Sequence, residues 1–240
     1  MLYFDLSNDD VGSYIGDYTF MNIAVIPARG GSKRIPGKNI KEFCGKSIIC
    51  YSIETALKSK IFDKIIVSTD DDQIAKIALQ AGAEIPFIRP REISDDNSVI
   101  SEVLIHAIQH FNKKGSVDNV CCIYSTAPFI RSNDIIRVYE KLKSKDSIQF
   151  VLSATSYAFP IQRAIRIDSN GGVVPFDAAS FKKRSQDLTE VYHDAGQFCW
   201  AKANAYLNKL QVFADHTRII NLPRYRVIDI DTLEDWEMAE

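Results

Sequence analysis

Apolar positions along this chain follow two alternating rhythms. Met21 opens a continuous apolar run, NIAVIPA, of strand length, and KIIVST at 64–69 and NVCCIY at 119–124 are two more. Between these runs the spacing turns helical. Residues 47–60 carry Ile49, Ile53, Ala56 and Leu57 at i, i+4, i+7 and i+8, which predicts one buried helix face. Ile74, Ile77, Ala78 and Ala81 predict the next helix, capped by Asp70-Asp71-Asp72 and stopped at Gly82. A third helix over 99–111 places Ile100, Val103, Leu104, Ala107, Ile108 and Phe111 on one stripe. A fourth starts at Ser132 with Ile135, Val138, Tyr139 and Leu142 inward. GQFCW reads as a strand, 203–210 as a helix and RVIDID, 226–231, as a closing strand.

Continuous apolar strands alternating with amphipathic helices predict a three-layer α/β/α fold around a mostly parallel sheet covered on both faces. The rhythm breaks over 156–195. There, 163–168 and 172–176 flank Ser169-Asn170-Gly171, an Asn-Gly hairpin signal, and Lys182-Lys183-Arg184 follows. This segment reads as a small β-rich insertion. Residues 1–20 lack periodicity and read as an extension outside a core of 21–240.

Composition narrows the class. The 240 residues are 46% hydrophobic and 25% charged with a formal net charge of -2, an ordinary globular mixture with no positive field to draw nucleic acid or anionic lipid. No apolar run approaches the length of a membrane span, and the acidic first residues do not resemble a secretory signal. The five cysteines show no zinc-like spacing and read as reduced thiols, most simply as small hydrophobes in the core. His106 and His110 share a helix face, but no third ligand follows them at helical spacing. A cytoplasmic location is the expectation.

Against this background residues 27–41, PARGGSKRIPGKNIK, stand out. They follow the first strand directly and hold Arg29, Lys33, Arg34, Lys38 and Lys41 with no acidic residue between them. Gly30, Gly31 and Gly37 give the backbone freedom to point N–H groups at an anion, and Pro36 stiffens the loop. Glycine-rich turns after a first strand commonly hold phosphates. Neither the P-loop spacing nor the G-x-G-x-x-G fingerprint is present, so the anion is held by another arrangement.

The segment PARGGSKRIPGKN resembles the signature loop of the CMP-acylneuraminate synthetases, a nucleotidyltransferase family. The resemblance continues through IIVSTDD (65–71), FIRP around Arg89 with SDDNS after it, and the terminal IDID (228–231). Within that family the chain is most similar to the branch acting on pseudaminic acid, by KRIP, CIYSTAP and YHDAGQFCW. The resemblance implies transfer of CMP from CTP to an acidic nine-carbon sugar, with Mg²⁺ as cofactor and a homodimer joined through the insertion. Arg29 and Lys38 would grip the triphosphate, and Gly30, Gly31, Ser32, Lys33, Asn39 and Ser98 would complete the nucleotide site. Arg89 would read the cytosine. Asp229 and Asp231 would bind Mg²⁺, and Tyr124, Ser125, Thr126, His193, Asp194 and Gln197 would face the sugar.

Simpler roles compete at several positions. Asn39 also suits a turn cap, and Arg89 a surface pair with Glu92. Asp231 suits an N-cap with Glu234 three residues on. Tyr124 could cap the core at a strand end, and His193 could bond locally. Many sialate-type relatives carry Gln-Pro-Thr-Ser-Pro at 124–128 and Arg-Pro-Asn-Gly at 193–196. The departures here argue against plain sialic acid, while legionaminic, sialic or an eight-carbon ulosonic acid remain alternative acceptors. A non-catalytic sugar-nucleotide binding module is the competing class, which would not need the aspartate pair.

Overall fold

A computed structural model describes residues 20–95, 98–113 and 115–240. The rest of the proposed 1–20 extension lies outside the described residues, as do Asp96 and Asn97 of the SDDNS segment. In chain order the elements are β1 (Phe20–Pro27), β2 (Glu42–Phe43), β3 (Lys46–Ser47), α1 (Ile48–Ser59), β4 (Lys64–Ser68) and α2 (Asp72–Gln80). Next come α3 (Ile100–Asn112), β5 (Ser116–Ile123), α4 (Ser132–Lys143), β6 (Phe150–Ser156), β7 (Ile165–Ile167) and β8 (Val173–Pro175). The chain ends with α5 (Ala178–Phe181), β9 (Tyr192–Lys202), α6 (Ala203–Leu207), β10 (Thr217–Asn221) and α7 (Leu233–Ala239).

Six strands pair in the order β10-β6-β9-β5-β1-β4. The β1–β4, β1–β5 and β6–β10 pairings are parallel, while β9 runs antiparallel between β5 and β6. Strand alternation splits the core in two. Ala24 and Ile26 of β1 join Ile49, Ile53, Ile74, Ala78, Ile135 and Val138 of α1, α2 and α4 on one face. Ile23 and Val25 join Leu104, Ala107, Ile108, Ala203 and Tyr206 of α3 and α6 on the other. The expected three layers and mostly parallel sheet are therefore present. Trp200 of β9 anchors the first face, fully buried, stacked on Phe62 at 5.0 Å and donating from Nε1 to the Ile135 carbonyl at 3.1 Å.

Several local expectations change. Leu57 is 42% exposed, because α1 buries Ile48, Ile49, Ser52, Ile53 and Ala56 and so turns its stripe away from Leu57. Cys44 is exposed rather than in the core, at φ 44° beside Gly45 at φ 90°, in the tight turn joining β2 to β3. The hairpin β7–β8 forms, but its loop runs from Asp168 to Gly172. The Asp168 carboxylate accepts from the N–H groups of Asn170 and Gly172, closing a longer turn than Asn-Gly alone implies. His106 and His110 pack their rings on Phe87.

The largest correction concerns RVIDID. Residues 227–231 join no strand ladder; the sheet edge is instead β10, whose mostly exposed sequence TRIIN hid it from the pattern. The alternation in 228–231 serves a separate small core. Ile228 and Ile230 pack with Ile35, Phe43, Ile48 and Trp236, which leaves Asp229 and Asp231 on the opposite side of the segment.

An ion pair buried at both ends fixes the approach to that segment. Arg226 donates from Nη1 to Asp134 Oδ2 of α4 at 2.7 Å, and both residues are more than nine-tenths buried. Removing one partner leaves an uncompensated buried charge. Asp134→Ala is expected to lower the unfolding free energy by ~3–5 kcal/mol. Restoring neutrality with Arg226→Met in the same chain should recover part of that loss, as read from urea denaturation.

Candidate functional site

A cleft of about 450 Å³ opens at the carboxyl ends of β1, β4 and β5. One wall is the loop after β1, with Arg29, Ser32, Lys33, Arg34, Lys38 and Asn39. The others are Arg89, Asp95 and Ser98, Ile100 and Val103 of α3, and Tyr124-Ser125-Thr126 after β5. Most of the nucleotide-site residues expected from sequence are thus brought to one cavity, with the first half of the expected sugar set.

The loop is shaped by identifiable contacts. Gly30 donates its N–H to Asp70 Oδ1 at 3.1 Å, and a Cβ there would stand 2.6 Å from Asp71 Oδ2, so only glycine fits. Gly37 takes φ 62° ahead of a single 3₁₀ turn over Lys38–Ile40. A Cβ at Gly31 would meet nothing within 4 Å, so no crowding within the protein calls for glycine there. Asn39 is no cap: it donates from Nδ2 to the Arg29 carbonyl at 2.8 Å and accepts from Ser125 Oγ at 2.7 Å. It therefore pins the loop to the end of β5. The Ser98 hydroxyl donates to Asp95 Oδ1 at 2.6 Å.

Arg89 is the least satisfied charge in the cleft. It is 5% exposed, and its Nε and Nη2 have no hydrogen-bond partner. Asp70, not Glu92, is its counter-ion, at 3.6 Å. Burial lowers its pKa from the ordinary guanidinium value, Asp70 opposes this, and Arg29 adds to it. A guanidinium stays charged under such conditions, so a buried cation lines the cavity, with Nη2 turned to Asp70.

The acidic segment meets the basic loop directly. Lys38 Nζ donates to the Ile230 carbonyl at 2.6 Å and lies 3.3 Å from Asp231 Oδ1, while Arg34 Nη1 stands 2.7 Å from Asp231 Oδ2. Asp231 is not the cap of α7. Thr232 caps it in a reciprocal box with Asp235, whose carboxylate also accepts the Asp231 N–H. Asp229 is exposed and, like Asp231, is not among the residues that line the cleft. The protein around its carboxyl raises its pKa, Asp231 adds to the rise, and Lys38 and Arg34 counter it.

Two like-charged hard oxygen donors on one side of an extended segment fit a cation such as Mg²⁺, which takes few carboxylates and completes its shell from phosphate and water. Among the described residues no group of three or more His, Cys, Asp or Glu could by itself hold a metal.

The second half of the expected sugar set is placed less simply. Tyr124 lines the cleft and also packs on the main core, where burial pushes its hydroxyl pKa far up. Gly196, at φ 61°, lies where the register of β9 against β6 shifts, and a Cβ there would stand 3.5 Å from the Asp229 carboxylate. Asp194 accepts the Gly196 N–H at 2.8 Å beside this bulge. His193 and Gln197 form no part of the cleft wall. His193 bonds the Asp194 carbonyl through Nδ1 at 2.8 Å and sets its ring edge-on to Tyr157. Gln197 is 2% exposed and donates to the Arg226 carbonyl. Sequence reasoning missed Asp70 as the partner of Arg89, because Asp70-Asp71-Asp72 read as capping alone. It also gave Arg34 no role, although its charge within the loop was visible.

Known proteins share the sequence family and the fold. The family profile described as cytidylyltransferase matches residues 23–240. A pseudaminic acid cytidylyltransferase of Campylobacter jejuni is 45% identical over 220 residues, 91% of this chain and 94% of the relative. A CMP-N,N'-diacetyllegionaminic acid synthase of Legionella pneumophila is 31% identical over 91% of this chain and 94% of its own length. The solved structure of a CMP:2-keto-3-deoxy-manno-octonic acid synthetase complexed with CTP shares the fold, with a TM-score of 0.65 at 17% identity over 91% of this chain and 96% of that one. No helix among the described residues is long and apolar enough to cross a membrane. The chain is a member of the cytidylyltransferase family.

Proposed function

We propose that this protein transfers CMP from CTP to the anomeric hydroxyl of pseudaminic acid, an acidic nine-carbon sugar, and releases pyrophosphate. The hydroxyl oxygen attacks the α-phosphorus as the bond from that phosphorus to the pyrophosphate oxygen breaks. One observation carries the nucleotide half: the buried Arg89 guanidinium, paired with Asp70 at 3.6 Å, lines a cleft whose walls also hold Arg29, Lys33 and Lys38. Arg89 suits the acceptor edge of cytosine, and the other cations suit the triphosphate. The choice of sugar rests on the 45% identical relative, with Tyr124 in the cleft wall as the candidate polar contact.

Asn39 and Gly30 hold the loop open, so the cations need little rearrangement when phosphates arrive. Asp229 and Asp231 would hold Mg²⁺, which when bound supplies a Lewis acid neutralising phosphate charge. Tyr124 and Thr126 would orient the sugar beside the α-phosphorus. The compartment we infer is the cytosol, in keeping with the free cysteines. The partner we infer is a second copy of this chain. The segment around β7 and β8 exposes Phe159 at 84%, Ile167 at 74% and Phe176 at 70%, an apolar surface suited to self-association.

Pyrophosphate release is expected with CTP and Mg²⁺, highest with pseudaminic acid and lower by ~10² or more with sialic acid, as a site left with unpaired polar groups rejects an analogue. Sialic or legionaminic acid matching pseudaminic acid would overturn the sugar assignment. In the same assay Arg89→Ala should erase most of the preference for CTP over UTP. The aspartates make a second prediction. Because Thr232 supplies the cap, Asp231→Asn and Asp229→Asn should each keep the wild-type melting temperature while lowering kcat/KM by roughly 10²–10³. Full turnover in both at low Mg²⁺ would remove them from the site. Sedimentation velocity tests the dimer: wild type should sediment as a dimer and Ile167→Glu as a monomer, and a monomeric wild type would refute it.

A further inference from the structure

Asp231 carries two cations, and they are not equivalent. Lys38 is 16% exposed in its side chain and is tethered a second time, to the Ile230 carbonyl at 2.6 Å. Arg34 is 67% exposed and reaches Asp231 Oδ2 at 2.7 Å through Nη1. Its side chain also lines the cleft beside Arg29, Lys33 and Asn39. A part-buried, doubly held ammonium stays where it is, whereas an exposed single ion pair is weak and readily exchanged. Arg34 thus stands between two sites for a cation's partner, the carboxylate on one side and the phosphate cavity on the other.

We propose that Arg34 is an exchangeable counter-ion. In the nucleotide-free protein its guanidinium neutralises Asp231, and arrival of nucleotide with a divalent cation moves it from Asp231 to the phosphates. The inference rests on the reading of Asp229 and Asp231 as cation ligands. A divalent cation and a guanidinium compete for the same carboxylate oxygens and repel each other when both are near. A triphosphate offers the displaced guanidinium oxygens that it binds bidentately. The exchange couples the two ligands. Without nucleotide, Arg34 holds the metal position against free divalent ions; with nucleotide, the arginine leaves and the position opens. By linkage the metal must favour the nucleotide by the same factor.

The coupling predicts opposite signs for one substitution. Manganese binding to the nucleotide-free protein, read from loss of the free-ion EPR signal, should be roughly three- to fivefold tighter in Arg34→Gln, since a competing surface ion pair is gone. Binding of CTP with Mg²⁺, read by titration calorimetry, should weaken in the same variant. Arg34→Lys, which keeps the charge, should stay near wild type for manganese. Melting temperature should hold, because the side chain is exposed. Manganese affinity unchanged or weaker in Arg34→Gln overturns the exchange. Asp231→Asn separates the two ideas. If it binds manganese like wild type, the metal reading fails and the exchange with it. If it loses manganese while Arg34→Gln gains none, the exchange alone fails.

Discussion

Lys38 and Asp231 lie 193 residues apart and are joined by an ammonium that also bonds the Ile230 carbonyl. The rest of the site depends on that stitch. The loop after β1 concentrates positive charge around a cavity, and like charges at that density push the loop outward unless carboxylates hold it from both sides. Asp70 does so from the end of β4, through the Gly30 N–H and Arg89, and Asp231 does so from the other end of the chain, through Arg34 and Lys38. The cations are restrained but not consumed. A phosphate chain meets a cavity already formed, its counter-charges standing within a side-chain length.

A small hydrophobic core makes the stitch possible. Ile35 of the loop, Phe43 and Ile48 just after it, and Ile230 and Trp236 from the carboxyl-terminal part bury one another. Lys41 sets its ammonium 4.0 Å from the centre of the Trp236 ring. The residues next to the cations and next to the aspartates are therefore packed together independently of the ion pairs. The charges need only refine a proximity that apolar burial has already fixed, which suits ion pairs whose own contribution at a surface is small. Arg226 and Asp134 perform the same service upstream, inside the protein, where separation would be far less tolerable.

What the sequence disclosed follows from this division. The strands β1, β4 and β5 and their helices were legible because each buries a periodic face on the sheet. The basic loop was legible because glycines and cations concentrated in it have few other uses. RVIDID misled because period-2 alternation records only that one side is buried. It does not say whether the backbone on either flank finds a strand, and here it finds the Lys38 ammonium instead. β10 was hidden for the converse reason: an edge strand pairs through its backbone while exposing most of its side chains. Asp70 and Arg34 were unreadable as partners since each bonds to a residue distant in sequence.

The basic loop and the bulge of β9 differ in how they are built. The nucleotide half is held by backbone and by buried groups: the Gly30 N–H, the Asn39 bridge, and an Arg89 walled in by the protein. Altering any of these disturbs the loop itself. Around Asp194 the chain is held differently, by the Gly196 bulge in a strand otherwise fixed by Trp200 and its neighbours, with His193 turned to Tyr157 of the adjoining segment. Side chains on such a bulge can be exchanged without breaking the β9 ladder below it. Change at His193 therefore disturbs the fold little, whereas Ala195, fully buried in the core, and Gly196, at φ 61°, are constrained as the loop at 29–39 is.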